Sequence, residues 1–248
     1  MTAPGAKTRL DVALVERGLA PTRERAQALV LAGLVDVDGQ KVDKAGTKIA
    51  AGSDIRVRGN NNPFVSRGGL KLRHALDAFA IDVAARIAMD VGASTGGFTD
   101  CLLQRGTTKV YAVDVGYNQL DSKLRSDPRV VVMEKENFRH LERDRVPDRL
   151  TLVVGDLSFI SLTLVLPKMK EFLEPGGDAV LLVKPQFEVG KGKVGKGGIV
   201  RDETLRKDAL AGVERSAREA GFETKGTVES PITGAKGNVE YLLWLRRP

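Results

Sequence analysis

The length, composition and charge of the chain limit the kinds of protein it can be. Its 248 residues are 42% hydrophobic and 29% charged, a balance typical of folded domains and not of disordered chains. A single cysteine, Cys101, and two histidines, His74 and His140, exclude an intrachain disulfide framework and argue against a Cys/His metal site. The formal charge of +7 favours a polyanionic partner, although a soluble protein that is merely basic explains it equally well.

The sequence shows no sign of a membrane-spanning or export segment. No apolar run approaches the ~18 residues of a membrane helix, and residues 1–7 lack the apolar core of a signal peptide. We therefore expect a cytoplasmic protein without a membrane partner, in which residues 1–7 form a loose tail.

The first part of the chain has the pattern of a small α+β domain. Apolar spacing predicts a helix over residues 9–17 and a second helix that Thr22 caps and Gly33 ends. Alternating apolar and polar residues across 34–42, interrupted by an Asp-Gly pair, predict a β-hairpin, and residues 55–58 predict a further strand.

A change of composition predicts the domain boundary. The run Gly-Asn-Asn-Asn-Pro is typical of a linker. We therefore expect a first domain over 1–58, a linker over 59–66 and a second domain over 67–248, which opens with a helix after Ser66.

From residue 86 onward the chain alternates between strands and helices. Continuous apolar runs, typical of parallel strands covered on both faces, predict strands at 87–91, 109–113, 130–133, 150–155, 179–183 and in a terminal pair ending with 239–245. Helices are predicted at 98–104, 119–126, 162–173 and 204–220. This alternation indicates a doubly wound, mostly parallel α/β sheet, with an antiparallel hairpin at its edge because no helix separates the last two strands.

A glycine-rich stretch joins the first of these strands to the first helix. Glycines let the backbone approach a ligand closely, and the N-terminus of the following helix favours an anionic group. The glycine spacing differs from the G-x-G-x-x-G fingerprint, which argues against an NAD(P)-dependent oxidoreductase; a tight structural turn is the alternative to a cofactor site. The candidate cofactor-binding residues in this stretch are Asp90, Gly92, Ala93, Ser94, Thr95, Gly96, Gly97 and Phe98.

Charged or polar residues also follow the other predicted strands. Asp114 ends the second strand, where a carboxylate can accept hydrogen bonds from ribose hydroxyls. Asn137 follows the third and is a candidate contact to adenine, although a helix N-cap explains it equally well. Asp156 and Lys184 end the fourth and fifth, at the edge where open α/β sheets bind ligands; a structural ion pair between them is the alternative.

Four charged residues and several sequence strings resemble those of a known family. Lys71, Asp156, Lys184 and Glu240 resemble the Lys-Asp-Lys-Glu tetrad of FtsJ-like ribose 2′-O-methyltransferases. The strings SRGGLKL, DVGASTGGFTD, GDLSFISL, VKPQFE and GNVEYLLWL are similar to the TlyA, or haemolysin A-like, family, and the first 58 residues resemble the S-four-type RNA-binding module. The linker GNNNPFV departs from the family, since it lacks the tryptophan-containing short linker of mycobacterial members.

The resemblance implies an activity and a fold. It implies a Rossmann-like class I methyltransferase domain that transfers a methyl group from S-adenosylmethionine to a cytidine 2′-hydroxyl in 16S and/or 23S ribosomal RNA, with no metal. Lys184 is the candidate base, Lys71 the cation that lowers its pKa, and Asp156 and Glu240 the acids that orient both lysines.

Ribosomal RNA or ribosomal subunits are the implied partners. Most of the candidate phosphate contacts lie in the first domain: Lys7, Arg9, Arg23, Arg25, Lys41 and, in the second domain, Arg67. The basic, glycine-rich segment 188–201 is either a loop that closes over RNA or a surface loop without a role.

Two further alternatives belong to different functional classes. A membrane-active haemolysin is disfavoured because the sequence has no spanning segment and no evident amphipathic insertion helix. A non-catalytic RNA-binding protein of ribosome assembly is disfavoured because the complete tetrad is present.

Overall fold

The chain forms two compact units, Met1–Pro63 and Phe64–Pro248. The structure, a computed structural model, describes residues 7–17, 19–20, 22–50, 52–58, 62–190, 192–195, 197–234 and 237–248. Parts of three predictions therefore lie outside the described residues: the tail before Lys7, linker residues 59–61, and Lys191 and Lys196 of the basic segment.

The described part of the first unit contains two helices and five short strands. These are β1 (Lys7–Arg9), α1 (Leu10–Glu16), α2 (Arg23–Leu31), β2 (Val35–Val37), β3 (Gln40–Val42), β4 (Lys48–Ala50) and β5 (Ile55–Val57). Strand β1 pairs with β4, and β2 lies between β3 and β5; all of these pairings are antiparallel. The predicted loose tail was wrong at Lys7, because this residue pairs with Ala50.

Local chemistry explains the second helix and the hairpin. The Thr22 hydroxyl accepts a hydrogen bond from the backbone N–H of Arg25 at 3.3 Å, which confirms the predicted cap of α2. Asp38 and Gly39 have φ angles of 51° and 81°, the positive values that a tight two-residue hairpin turn requires.

A seven-stranded sheet forms the centre of the second unit. Its strands are β6 (Ile87–Val91), β7 (Lys109–Asp114), β8 (Val130–Glu134), β9 (Leu150–Gly155), β10 (Leu173–Val183), β11 (Glu223–Glu229) and β12 (Tyr241–Arg246). The order is β11-β12-β10-β9-β6-β7-β8, in which β8, β7, β6, β9 and β10 are parallel and β12 is antiparallel to both of its neighbours. The predicted mostly parallel sheet with an antiparallel edge hairpin is confirmed.

Helices cover both faces of this sheet. They are α3 (Gly68–Ala78), α4 (Gly97–Gln104), α5 (Ser122–Arg125), α6 (Leu166–Phe172), α7 (Pro185–Glu188) and α8 (Glu203–Glu219). Leu72 of α3 and Leu102 of α4 belong to one apolar core, whereas Phe172 of α6 and Val213 of α8 belong to another. None of the described helices is long and apolar enough to cross a lipid bilayer.

Two helix predictions were wrong in extent. The helix predicted over 162–173 is a 3₁₀ turn, Leu162–Leu164, followed by α6, because Pro167 is tolerated only in the first turn of a helix. The helix predicted over 119–126 shortens to α5, because the Asp121 side chain accepts a hydrogen bond from Lys123 N at 2.9 Å and caps the helix there.

Candidate active site

Two adjoining cavities open at the carboxyl ends of the parallel strands. The first, of about 440 Å³, is lined largely by residues that follow β7, β8 and β9. The second, of about 320 Å³, lies beside the first turns of α3 and α4. Gly92, Ser94, Asp156 and Ser158 line both cavities, so the two share a wall at the segment 92–96 between β6 and α4, called the glycine loop below. This is the edge of the sheet at which open α/β folds bind ligands.

The glycine loop brings main chain close to both cavities. Gly92 has a φ angle of 82°, and a Cβ atom added there would lie 3.0 Å from the carbonyl oxygen of Asp156. The backbone N–H groups of Gly92 and Ala93 donate to the carbonyl of Val113 at 2.8 and 3.1 Å, which fixes the loop against β7. A side chain at Gly92 would be strained and crowded, so this position requires glycine.

The structure places most of the predicted cofactor residues at these cavities. Asp114 and Asn137 line the first, with Gly92, Ser94 and Asp156 shared. The second is lined by Asp90, Ala93, Thr95, Gly97 and Phe98 in addition. Gly96 lines neither cavity; it is the N-cap of α4, with a φ angle of 97°, and packs toward Leu120 and Leu124.

Asp114 and Asn137 already have partners on the protein. The Asp114 carboxylate accepts hydrogen bonds from Ser94 N at 2.8 Å and from Gly116 N at 2.7 Å, which ties the glycine loop to the end of β7. Asn137 accepts a hydrogen bond from Arg139 N at 3.1 Å and caps the 3₁₀ turn Phe138–His140, as the capping alternative predicted. Each carboxylate oxygen of Asp114 can accept a second hydrogen bond, so ligand binding there is compatible with its structural role.

Asp90 is a buried carboxylate with one unsatisfied oxygen. Its Oδ2 accepts hydrogen bonds from the backbone N–H and the hydroxyl of Thr99, at 2.9 and 2.7 Å. Its Oδ1 has no hydrogen-bond partner among the described residues. Burial, together with the negative charges of Asp156 and Asp114, raises the pKa of Asp90 to about 7.

We expect Asp90→Asn to flatten the pH dependence of stability in the cofactor-free protein. The pKa of Asp90 is about 7 in the folded chain and about 4 in an unfolded one. Between these two pKa values the folded state therefore binds more protons than the unfolded state, and the free energy of unfolding falls as pH rises. Urea unfolding at about pH 5 and about pH 8 should show a pH effect smaller by about 2.5 kcal/mol in the variant.

The exposed Asp208 on α8 provides the matched control for this measurement. Asp208→Asn also removes one carboxylate but leaves Asp90 in place, so it should keep the wild-type difference between the two pH values. An Asp90→Asn variant with the same pH dependence as wild type would contradict the prediction.

Four charged side chains of the predicted tetrad form two ion pairs. Lys71 Nζ lies 2.5 Å from Glu240 Oε2, and Lys184 Nζ lies 2.6 Å from Asp156 Oδ1. Lys71, Lys184 and Asp156 all line the second cavity. The elements that supply them are α3, the segment before β12, and the ends of β9 and β10. The tertiary structure thus brings two amines and two acids, far apart in sequence, together at the second cavity, where Glu240 takes part through its contact with Lys71.

Ser158 is a residue at the cavities that the sequence did not predict. Lys184 Nζ donates a hydrogen bond to Ser158 Oγ at 2.7 Å. The close approach of Lys184 to Asp156 lacks hydrogen-bond geometry, since Asp156 Oδ1 has no hydrogen-bond partner among the described residues. Ser158 therefore orients the Lys184 amine, and its only signal in the sequence was its place two residues after Asp156.

Contacts beside the cavities join the segment that follows β9 to the segment that follows β10. Glu188 accepts hydrogen bonds from Ser161 Oγ at 2.5 Å and from Leu162 N at 2.9 Å. The rings of Phe159 and Phe187 lie 5.2 Å apart. The start of the predicted basic loop is therefore anchored, because Glu188 belongs to α7 and holds the segment that follows β9.

The predicted RNA contacts are exposed and belong to several elements. In the first unit, Lys7 and Arg9 lie on β1, Arg23 and Arg25 in the first turn of α2, and Lys41 on β3. Arg67 precedes α3 and lines the second cavity. Among the described residues, no group of three or more His, Cys, Asp or Glu side chains is suited to holding a metal ion.

Comparisons with known proteins match both units. The profile of the FtsJ-like methyltransferase family matches residues 64–247, and that of the S4 domain matches residues 8–55. The chain is 50% identical to the 16S/23S rRNA (cytidine-2′-O)-methyltransferase TlyA of Mycobacterium tuberculosis, over 97% of this chain and 90% of that protein.

Two further relatives carry haemolysin names. Hemolysin A of Brachyspira hyodysenteriae is 45% identical, over 94% of this chain and 98% of its own length. A solved structure from Streptococcus thermophilus, provisionally named a hemolysin, is 46% identical with a TM-score of 0.78 and covers 97% of this chain and 88% of its own.

Proposed function

Because the chain belongs to the FtsJ-like methyltransferase family and carries an S4 domain, we propose that it transfers a methyl group from S-adenosylmethionine to a cytidine 2′-hydroxyl of ribosomal RNA. The observation that carries this proposal is the pairing of Lys184 with Asp156 and of Lys71 with Glu240 beside the glycine loop. The cytidine and the ribosomal RNA come from the name of the mycobacterial relative. A ribosomal substrate would place the protein in the cytoplasm.

The residues at the two cavities fit S-adenosylmethionine. Gly92 leaves room for a ligand beside Asp156, which a Cβ atom would crowd. The Asp114 carboxylate lines the first cavity and can accept hydrogen bonds from ribose hydroxyls. The unsatisfied Oδ1 of Asp90, on a residue that lines the second cavity, suits an ammonium group such as that of the methionine moiety. When bound, the cofactor supplies an electrophilic methyl group on a sulfonium.

The residues of the second cavity then act on the ribose hydroxyl. Lys184 takes the hydroxyl proton on its Nζ atom, while Asp156 and Ser158 hold that amine in place. The Asp156 carboxylate, 2.6 Å from Nζ, stabilises the ammonium that forms when the proton is transferred. Glu240 pairs with Lys71 at 2.5 Å, so in this proposal the pair positions the ribose beside Lys184.

Mapping of 2′-O-methylation on ribosomal RNA tests this proposal. Ribosomal RNA from cells with and without the protein should differ at one or more cytidines, and the purified protein should restore the modification with labelled S-adenosylmethionine. Free 16S and 23S RNA and the assembled subunits serve as separate substrates in this assay. Absence of transfer to all of them would overturn the proposal and favour a non-catalytic role.

Gly234 offers a variant that perturbs the tetrad without touching its four residues. A Cβ atom added at Gly234 would overlap the Glu240 carboxylate. We expect Gly234→Ala to displace Glu240 from Lys71 and to lower the rate of methyl transfer by about a hundredfold, since a displacement of about 1 Å at a reacting centre costs that much. Single-turnover transfer to ribosomal RNA measures this rate.

Gly212 on α8 is the matched control. A Cβ atom added there meets nothing within 4 Å, so Gly212→Ala should keep wild-type activity and slightly stabilise the helix. Equal rates for the two alanine variants would contradict the prediction that displacing Glu240 slows methyl transfer.

A further inference from the structure

A buried carboxylate in the first unit binds two of the exposed arginines. The Asp11 side chain is 0% exposed. Arg9 donates from Nε to Oδ1 and from Nη2 to Oδ2, both at 3.0 Å, and Arg23 donates from Nε to Oδ2 at 2.9 Å. Gln27 Nε2 adds a further hydrogen bond to Oδ2 at 2.9 Å. The two guanidinium groups therefore meet at one carboxylate.

Asp11 connects three elements that are separate in sequence. It lies in the first turn of α1, whereas Arg9 ends β1, and Arg23 and Gln27 lie one turn apart on α2. The hydrogen bonds from Arg9, with those from Gln27 and Arg23, hold the pKa of Asp11 well below its usual range. The carboxylate consequently stays ionised and keeps both arginines in place at neutral pH.

The arrangement leaves positive charge and free donors on the outer side. The Arg9 and Arg23 side chains are 45% and 53% exposed, while the acid beneath them is buried. At Asp11 two guanidinium charges face one carboxylate, so this cluster keeps a net positive charge, of which the neighbouring Glu24 carboxylate offsets a part at Arg23. Arg23 uses only Nε, and within the described part of the chain its two Nη atoms have no partner. A phosphate oxygen fits such a pair of planar, already ordered donors.

We infer that Asp11 is a positioning residue that fixes Arg9 and Arg23 side by side as one binding site for an RNA phosphate. The inference rests on the proposed function, because its ligand is ribosomal RNA. Ordering the two long side chains during folding lowers the conformational entropy that RNA binding would otherwise cost.

Simple electrostatics predicts the opposite effect of removing this acid. Asp11→Asn makes the protein more positive, which by itself strengthens binding to a polyanion. If Asp11 instead positions the arginines, the same change weakens binding. The sign of the effect therefore separates the two explanations.

The experiment measures binding of the full chain to purified 16S and 23S ribosomal RNA by filter binding over a range of salt concentrations. We expect Asp11→Asn to weaken binding about tenfold and to reduce the salt dependence by about one phosphate contact. Asp54→Asn is the matched control, because Asp54 forms an exposed ion pair with Arg56 at 2.8 Å and its loss changes the charge equally. Binding by Asp11→Asn as tight as that of Asp54→Asn would overturn the inference.

A second variant tests the inference with Asp11 intact, in case Asp11→Asn does not fold. Arg23→Lys keeps the charge, but its single amine must choose between Asp11 and the phosphate. We expect about a tenfold loss relative to Arg56→Lys, the charge-conserving change in the exposed pair. Equal affinities for these two variants would overturn the inference alone, whereas failure of the wild-type protein to bind ribosomal RNA would overturn the proposed function with it.

Discussion

Lys184→Ala is expected to abolish methyl transfer while the protein still binds S-adenosylmethionine. Lys184 Nζ is the amine held by Asp156 and Ser158 at the wall of the second cavity, where the hydroxyl proton must leave. General-base catalysis accelerates a reaction about a hundredfold to ten-thousandfold. The single-turnover rate on ribosomal RNA should therefore decrease by a factor in that range. Calorimetric titration with S-adenosylmethionine should show an affinity close to wild type.

A lysine with a similar pairing but outside the cavities is the control for this loss. Lys207 pairs with Glu203 at 2.7 Å on the exposed side of α8, so Lys207→Ala should transfer methyl groups at the wild-type rate. A single-turnover rate for Lys184→Ala near that of Lys207→Ala would remove Lys184 from the role of base. Loss of cofactor affinity in parallel with the rate would assign Lys184 to binding instead.

Breaking the ion pair between Lys71 and Glu240 should destabilise the second unit strongly. The two side chains are 10% and 2% exposed, and their charged atoms lie 2.5 Å apart. Lys71→Met leaves a buried carboxylate and Glu240→Met leaves a buried ammonium, and each should cost about 3–5 kcal/mol of unfolding free energy. The double variant removes both charges, so it should cost less than the two single changes together. Urea unfolding of all four proteins measures the coupling.

The exposed pair of Lys207 and Glu203 serves as the reference cycle. Its side chains are 70% and 65% exposed, so water screens the interaction and the two single changes should be nearly additive. Additive effects at Lys71 and Glu240 as well would show that water reaches this pair and that burial does not set its strength. All variants of the Lys71–Glu240 pair should be inactive in methyl transfer, including the double variant, which loses less stability than the two single changes together. This comparison separates the effect of the pair on activity from its effect on stability.

The sequence itself predicted the sheet well, because burial leaves a local signal. Parallel strands covered on both faces must be apolar along their whole length, and the runs at 87–91 and 150–155 correspond to β6 and β9 without change. The glycine loop and the acids after the strands were equally easy to recognise in the sequence, since they interrupt apolar runs. Resemblance to a family, not spacing, assigned Lys71 and Glu240 to one tetrad.

Elements that depend on distant partners were missed or misplaced. Strand β1 has only three residues, none of them strongly apolar, and exists because it pairs with β4 later in the chain. The prediction of a helix over 162–173 did not take Pro167 into account, although this proline in the sequence indicates that the helix begins near it. Asp11 carried no signal of function and Ser158 only its place after Asp156, because their roles depend on which side chains surround them in space.

Amino-acid order alone determined the alternation of strands and helices, the glycine loop and the polar residues at the strand ends, since each is a pattern among neighbours in the chain. Only the tertiary structure decided which charges pair. Lys71 pairs with Glu240, which lies 169 positions later in the sequence. Asp11 accepts hydrogen bonds from Arg9 of β1 and Arg23 of α2. Such pairs form where the topology of the fold brings buried charges into contact, and their energy depends on exclusion from water, which local sequence does not encode.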